Sequence, residues 1–237
     1  MGLPGVYDTF NEKWCKQTVW IYSDCHFDDI ELEEGIAGRP SADEQTKLIN
    51  SCVGRKDTFI CLGDIGNIEY VRKIKGYKIL ICGNHDQGAT QYKRRIETGL
   101  FDKNLYSKDD IIKLAKEKYP NWKITINEVT SSFPNYYEVK FDNCLFDEVY
   151  EGPLMIGEKL ILSHEPLDTP WAFNIHGHIH DLRHKNDKFH FNVCADVINY
   201  KPLNLNQFLK SGIFSQICSI HRQTINLATQ RKRGKAH

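Results

Sequence analysis

The sequence has no net charge, no long apolar run, no closely paired cysteines and no internal repeat, and each absence removes a class of protein. Its 31 basic residues balance 31 acidic ones, so no overall field draws the chain to nucleic acid or a membrane surface. No apolar stretch approaches the roughly 20 residues that a membrane helix needs, and the N-terminus has neither the basic nor the apolar zone of a signal peptide. A cytoplasmic location is the resulting expectation. The 8 cysteines, at 15, 25, 52, 61, 82, 144, 194 and 218, form no Cys-x-x-Cys pair, and several lie inside apolar runs. That distribution predicts reduced, buried thiols, not a disulfide framework. Low-complexity sequence is missing apart from a basic tail over 231–237. The tail reads more readily as a solvated, frayed end than as a polyanion-binding arm.

What is present is the material of one domain. With 237 residues, of which 41% are hydrophobic and 26% charged, the chain can bury one sizeable core, and nothing in it demands a second. Apolar, β-rich runs over 18–22, 58–62 and 77–82 predict strands covered on both faces. Between the first two, Ser41 and Glu44 form a capping-box pair ahead of a helix whose buried stripe is Leu48, Ile49 and Cys52. Strand, helix, strand at this spacing predicts an α/β protein with a parallel sheet. Further strands are expected over 159–162, 172–175 and 189–193, and a last helix over 204–210. Residues 92–143 read as an insertion. They hold an amphipathic helix over 107–119, with Ser107 and Asp110 as its capping box, Ile111, Leu114, Ala115 and Tyr119 as its apolar face, and Trp122, Phe133, Tyr136 and Tyr137 nearby. This segment either overhangs a site or packs for structure alone.

Polar motifs follow the strands. Asp24-Cys25-His26 comes after the first, Gly63-Asp64 after the second, and Gly83-Asn84-His85-Asp86 after the third. Ser163-His164 follows the strand over 159–162, and Gly177-His178-Ile179-His180 follows the one over 172–175. In open α/β sheets the loops at the carboxyl ends of strands form the binding crevice. Asp24 and His26, two residues apart, can turn to the same side and chelate one ion, and so can His178 and His180. Dividing seven ligands between two ions uses them all: Asp24, His26, Asp64 and His180 for one, Asp64, Asn84, His164 and His178 for the other, with Asp64 as the shared bridge. Imidazole and carboxylate donors suit two divalent ions such as manganese, iron, zinc, nickel or cobalt better than magnesium or calcium. Glycines 63, 83 and 177 are expected to let the backbone turn sharply beside the ligands.

Paired divalent ions neutralise the oxygens of a phosphate ester and generate hydroxide at neutral pH. The expected reaction is therefore hydrolysis of a phosphomonoester or phosphodiester by attack of metal-bound hydroxide. His85 directly follows a ligand, where it can stabilise the charged phosphate or protonate the departing alkoxide, and Asp86 is expected to orient it through a hydrogen bond.

These motifs resemble those of the calcineurin-like metallophosphoesterases from about residue 20 to 208, outside 92–143. Ser23-Asp24-Cys25-His26-Phe27, Arg39-Pro40, Leu62-Gly63-Asp64, Ser163-His164-Glu165-Pro166 and the stretch from Asn192 through Asp196 and Tyr200 to Pro202 are similar to a small bacterial and phage branch of that family. The resemblance implies a four-layer αββα sandwich of two mixed sheets with the dimetal site at the sheet edge. It also implies the same seven ligands. Asp29 departs from it, standing where that branch often carries His, which bears on proton supply or phosphate contact. Cys25 and Cys82 flank the site, and inert packing is favoured for them over oxidation. Arg39 either reaches a phosphate oxygen or makes a structural ion pair. His184, His190, His221 and His237 fit no ligand spacing.

Small nucleotides or cyclic nucleotides lead as the substrate class. A nuclease is the first alternative, although it needs a basic groove that zero net charge does not suggest, and a phosphoprotein phosphatase is the second. A metal-dependent binding scaffold is the non-enzyme alternative, and the full ligand set speaks against it.

Overall fold

The computed structural model describes residues 2–86, 88–129, 135–181, 187–218 and 224–230. The basic tail, Phe133, His184, His221 and His237 lie outside the described residues. The protein is a mixed α/β structure. Strands β1 (Val19–Tyr22), β2 (Thr58–Cys61) and β3 (Tyr77–Ile81) run parallel, as the apolar runs predict. Three strands from 96–142 come next, β4 (Ile96–Asp102), β5 (Lys123–Glu128) and β6 (Tyr136–Asp142). They are followed by β7 (Glu148–Tyr150), β8 (Leu154–Gly157), β9 (Leu160–Leu162), β10 (Phe173–His176), β11 (His190–Asn192) and β12 (Leu203–Asn204). The first sheet has the order β12-β1-β2-β3-β7 and the second β11-β10-β9-β8. Each is mixed, since β12 pairs antiparallel with β1 and β8 antiparallel with β9.

Alternation along the strands explains why both faces are apolar. Ile21, Ile60 and Ile79 point to one side of the first sheet, where they share a core with Leu160, Phe173 and Ile175 of the second. Tyr22, Phe59 and Leu80 point to the other side, against Ala42 and Ile49 of a helix over Ala42–Cys52. Fully burying one such side chain contributes about 1.5–3 kcal/mol. The capping box expected at Ser41 and Glu44 is formed, so the helix starts where its apolar stripe can meet the sheet. A second helix with the expected capping box spans Lys108–Lys118, and the helix over Leu205–Lys210 is capped by Asn204. No helix among the described residues is long and apolar enough to cross a membrane.

Residues 92–143 build a core of their own. Strands β4 and β5 flank β6 in a three-stranded antiparallel sheet, and the 108–118 helix packs on it through Ile111 and Ala115 against Val139 and Phe141. The junction with the main body is polar. Arg94 donates to the carboxylates of Asp142 and Asp147, and Lys78 of β3 donates to the carbonyls of Val71 and Cys144.

Lys78 is 5% exposed, and burial pushes its ammonium down to about 8 from an ordinary 10.5. Between those values the unfolded chain holds a proton that the folded protein has released, so stability rises with pH across the window. Lys78→Met should remove that part of the slope: the difference in denaturation midpoint between variant and parent should change from pH 7.5 to pH 10 in the direction that favours the parent at high pH. A pH-independent difference would refute it.

Candidate metal centre

The carboxyl ends of β1, β2 and β3 in one sheet and of β9 and β10 in the other deliver all five motifs to one place. Ser23 and Cys194 form an isolated bridge between the segments that follow β1 and β11, which draws the sheet edges together. The backbone is strained here. Asp24, His26, Asp64 and His178 adopt φ of 58°, 42°, 54° and 67°, a left-handed region that non-glycine residues enter at a cost and that concentrates at functional sites.

Of the three expected turning glycines, only Gly63 has positive φ, at 105°. The other two are required by close approach. A Cβ on Gly83 would sit 2.2 Å from Asp64 Oδ1, and one on Gly177 would sit 2.2 Å from Asp24 Oδ2.

The structure brings the seven candidate ligands into two overlapping groups. Asp64 Oδ2 is 3.5 Å from His26 Nε2 and 3.3 Å from His164 Nε2, so one carboxylate oxygen faces both. Asp24, His26 and Asp64 place donor atoms within 4.8 Å of one another, and so do Asp64, His164 and His178. On the first side His180 Nε2 lies 3.5 Å from Asp24 Oδ1. On the second, His164 Nε2 lies 2.8 Å from Asn84 Oδ1 and 3.1 Å from His178 Nδ1. Donors held at about 2.1 Å around a small divalent ion sit roughly 3.0–3.4 Å from their neighbours, and these spacings, from 2.8 to 3.5 Å, lie close to that range.

The charges call for a cation as well. His164 Nδ1 lies 2.8 Å from the Leu62 carbonyl, to which it can donate; its Nε2 lone pair then faces the oxygens of Asn84 and Asp64. Without an ion, burial would lower the His164 pKa, yet contact with the Asp64 and Asp24 carboxylates raises it. Burial would likewise raise the Asp64 carboxyl, but bonding with His164 and His26 holds it far below the usual range. The site seeks positive charge, and divalent ions would supply it. Asp24, His180 and Cys194 form a third close group. Burial pushes the Cys194 thiol up to about 12.

Other residues orient the imidazoles. His180 Nδ1 is 2.6 Å from Asp196 Oδ2. Asp196 also takes Arg39 Nη1 on both oxygens at 2.6 Å and the Tyr200 hydroxyl at 2.7 Å. Arg39 Nη2 donates to the carbonyls of Asp24 and Cys25, and no part of its side chain is exposed. Arg39 is thus the structural ion pair and not the phosphate contact. Asp196 and Tyr200 lie in the 192–202 stretch, but no motif in the sequence marks them for this role. Asp29 sets Oδ2 3.3 Å from His26 Nδ1 and caps the next helix by accepting from the Leu32 N–H.

His85 is exposed, with its ring centroid 5.3 Å from that of His26, and its backbone N–H donates to Asp64 Oδ1. Asp86 does not take the place expected for it. Its carboxylate accepts the backbone N–H groups of Asp64, Ile65 and Gly83, so it ties the two metal-side loops together and does not orient the His85 ring. Cys25 is buried with its Sγ 3.8 Å from Cys61 Sγ in the core, and burial pushes the Cys82 thiol up to about 11. Among the described residues the cysteines form no disulfide, and only four of the eight are buried. His190 pairs with Asp187, away from the ligands. Among the described residues, none from 92–143 lines the cleft formed by His26, Asp29, Asp64, His85, His178 and His180.

No known family profile matches the chain, and none of the curated proteins does. A solved protein of unknown function from Aquifex aeolicus is similar at 19% identity and a TM-score of 0.48, over 82% of this chain and 98% of that one.

Asp196→Asn should weaken uptake of manganese or zinc about 10- to 100-fold, the usual effect of removing a carboxylate behind a ligating histidine. Metal titration of the refolded, dialysed variant measures it, with near-UV circular dichroism as the check on the fold. Unchanged affinity would show that Asp196 serves the Arg39 pair alone.

Proposed function

We propose that the protein is a two-ion phosphoesterase of the calcineurin-like kind, which hydrolyses a phosphomonoester or phosphodiester in the cytosol. The observation that carries this reading is the position of Asp64 Oδ2 between His26 Nε2 and His164 Nε2, with Asp24 and His180 on one side and Asn84 and His178 on the other. Two ions held there would neutralise phosphate oxygens and acidify water. The same reading treats the two sheets around one core as the middle of a four-layer αββα sandwich, with the centre at their shared edge and 92–143 as an insertion in a single domain.

The residues divide the work. Asp64 binds on both sides and keeps its negative charge because His26 and His164 face it. Asp196 and Asp29 hold His180 and His26 by their Nδ1 atoms, which leaves each Nε2 free to ligate. Exposed His85 stands at the mouth of the cleft, where its imidazole can contact a phosphate oxygen or return a proton to the leaving alkoxide. Small nucleotides and cyclic nucleotides are the substrate class first to be tried. The nuclease alternative would rest on the basic tail.

Two variants test the assignment. Asp64→Asn should abolish manganese-dependent turnover of bis(p-nitrophenyl) phosphate with a cooperative unfolding transition retained; undiminished turnover sinks the mechanism. His85→Ala should keep its metal content and lower kcat about 10²–10⁴-fold, as expected for loss of acid–base assistance. Loss of metal in that variant would instead make His85 a ligand.

A further inference from the structure

A second cleft, of about 290 Å³, opens beside Asn84 and His164, on the side of the centre away from His26 and His180. It lies between the carboxyl ends of β3, β7 and β9. Pro153 and Leu167 give it apolar walls, and Glu151 and Glu165 stand at its rim. Cys82 also lines it. No Lys or Arg lines this cleft among the described residues. The first cleft likewise carries Asp29 and Glu31. A phosphate at the ion that His164 and Asn84 would hold adjoins the second cleft, a small space with an apolar wall and two carboxylates into which its organic substituent can extend.

We propose that this cleft receives the organic part of the substrate and selects a short group that carries an ammonium, in preference to neutral or anionic groups. The proposal rests on reading the adjoining residues as a phosphoesterase centre, and it sets a short amine-bearing ester ahead of the nucleotides as its substrate. An ammonium can donate to either carboxylate in a charge-assisted hydrogen bond while its alkyl stem covers Pro153 and Leu167. A second phosphate or carboxylate would meet like charge. Both glutamates are exposed, so solvent weakens the discrimination without erasing it.

Binding to the manganese-loaded protein, measured by calorimetry, tests this without turnover. Three non-hydrolysable probes of similar size differ in charge: 2-aminoethylphosphonate, propylphosphonate and 2-carboxyethylphosphonate. The expected order is amino, then propyl, then carboxy, with about tenfold between the first two. In the Glu151→Gln/Glu165→Gln variant the ratio should fall toward unity; if that double variant misfolds, Glu165→Gln alone should reduce it. Equal affinities in the parent, no binding of any probe, or a preference that survives both variants overturns the proposal. Turnover of bis(p-nitrophenyl) phosphate by the same preparation separates the two readings. Turnover with no amine preference removes only the cleft assignment, and amine preference with no turnover removes only the phosphoesterase.

Discussion

One buried carboxylate organises this structure. Asp64 is 2% exposed, and an unpaired charge at such a depth would be costly. It is tolerated because His26 and His164 face one of its oxygens and the His85 N–H donates to the other. Its own N–H is taken by Asp86, whose carboxylate reaches the Ile65 and Gly83 N–H groups as well. The loops after β2 and β3 therefore have one arrangement, and the absence of a side chain at Gly83 is part of it, since a Cβ there would displace the Asp64 oxygen.

A second buried charge network serves the other edge. Arg39 joins Asp196 to the backbone carbonyls of Asp24 and Cys25 and so connects segments distant in sequence. Removing one partner from such a pair leaves an uncompensated buried charge, which costs about 3–5 kcal/mol. The Asp196 carboxylate, held at about 2 by its environment despite burial, stays ionised behind His180. Strand pairing thus brings the motifs near one another, but these polar contacts determine which ring nitrogen each histidine turns toward its neighbours.

Much of this was legible in the chain. The near-continuous apolar runs announced strands buried on both faces, both capping boxes formed at the residues that predicted them, and the motifs fell at strand ends. What could not be read was three-dimensional accounting. Asp86 sits beside His85 in sequence, so adjacency suggested that it orients that ring; the neighbouring loop's unsatisfied N–H groups claim it instead. Arg39 offered two readings because nothing in a linear sequence shows Asp196 lying against it. The partner of His164 is the backbone carbonyl of Leu62, an atom every residue possesses and no motif marks.

The histidine partners also make the two halves of the centre unequal. On the first side, His26 leans on Asp29 and His180 on Asp196, and Asp24 adds a third carboxylate. On the second, His164 leans on a neutral carbonyl and Asn84 contributes a neutral amide oxygen, so the shared Asp64 is the only carboxylate in that half's ligand set. A carboxylate behind an imidazole increases its electron donation, so negative charge accumulates around Asp24, His26 and His180 and thins toward Asn84 and His178. The exposed ligands, Asn84 and His178, lie on the thinner side.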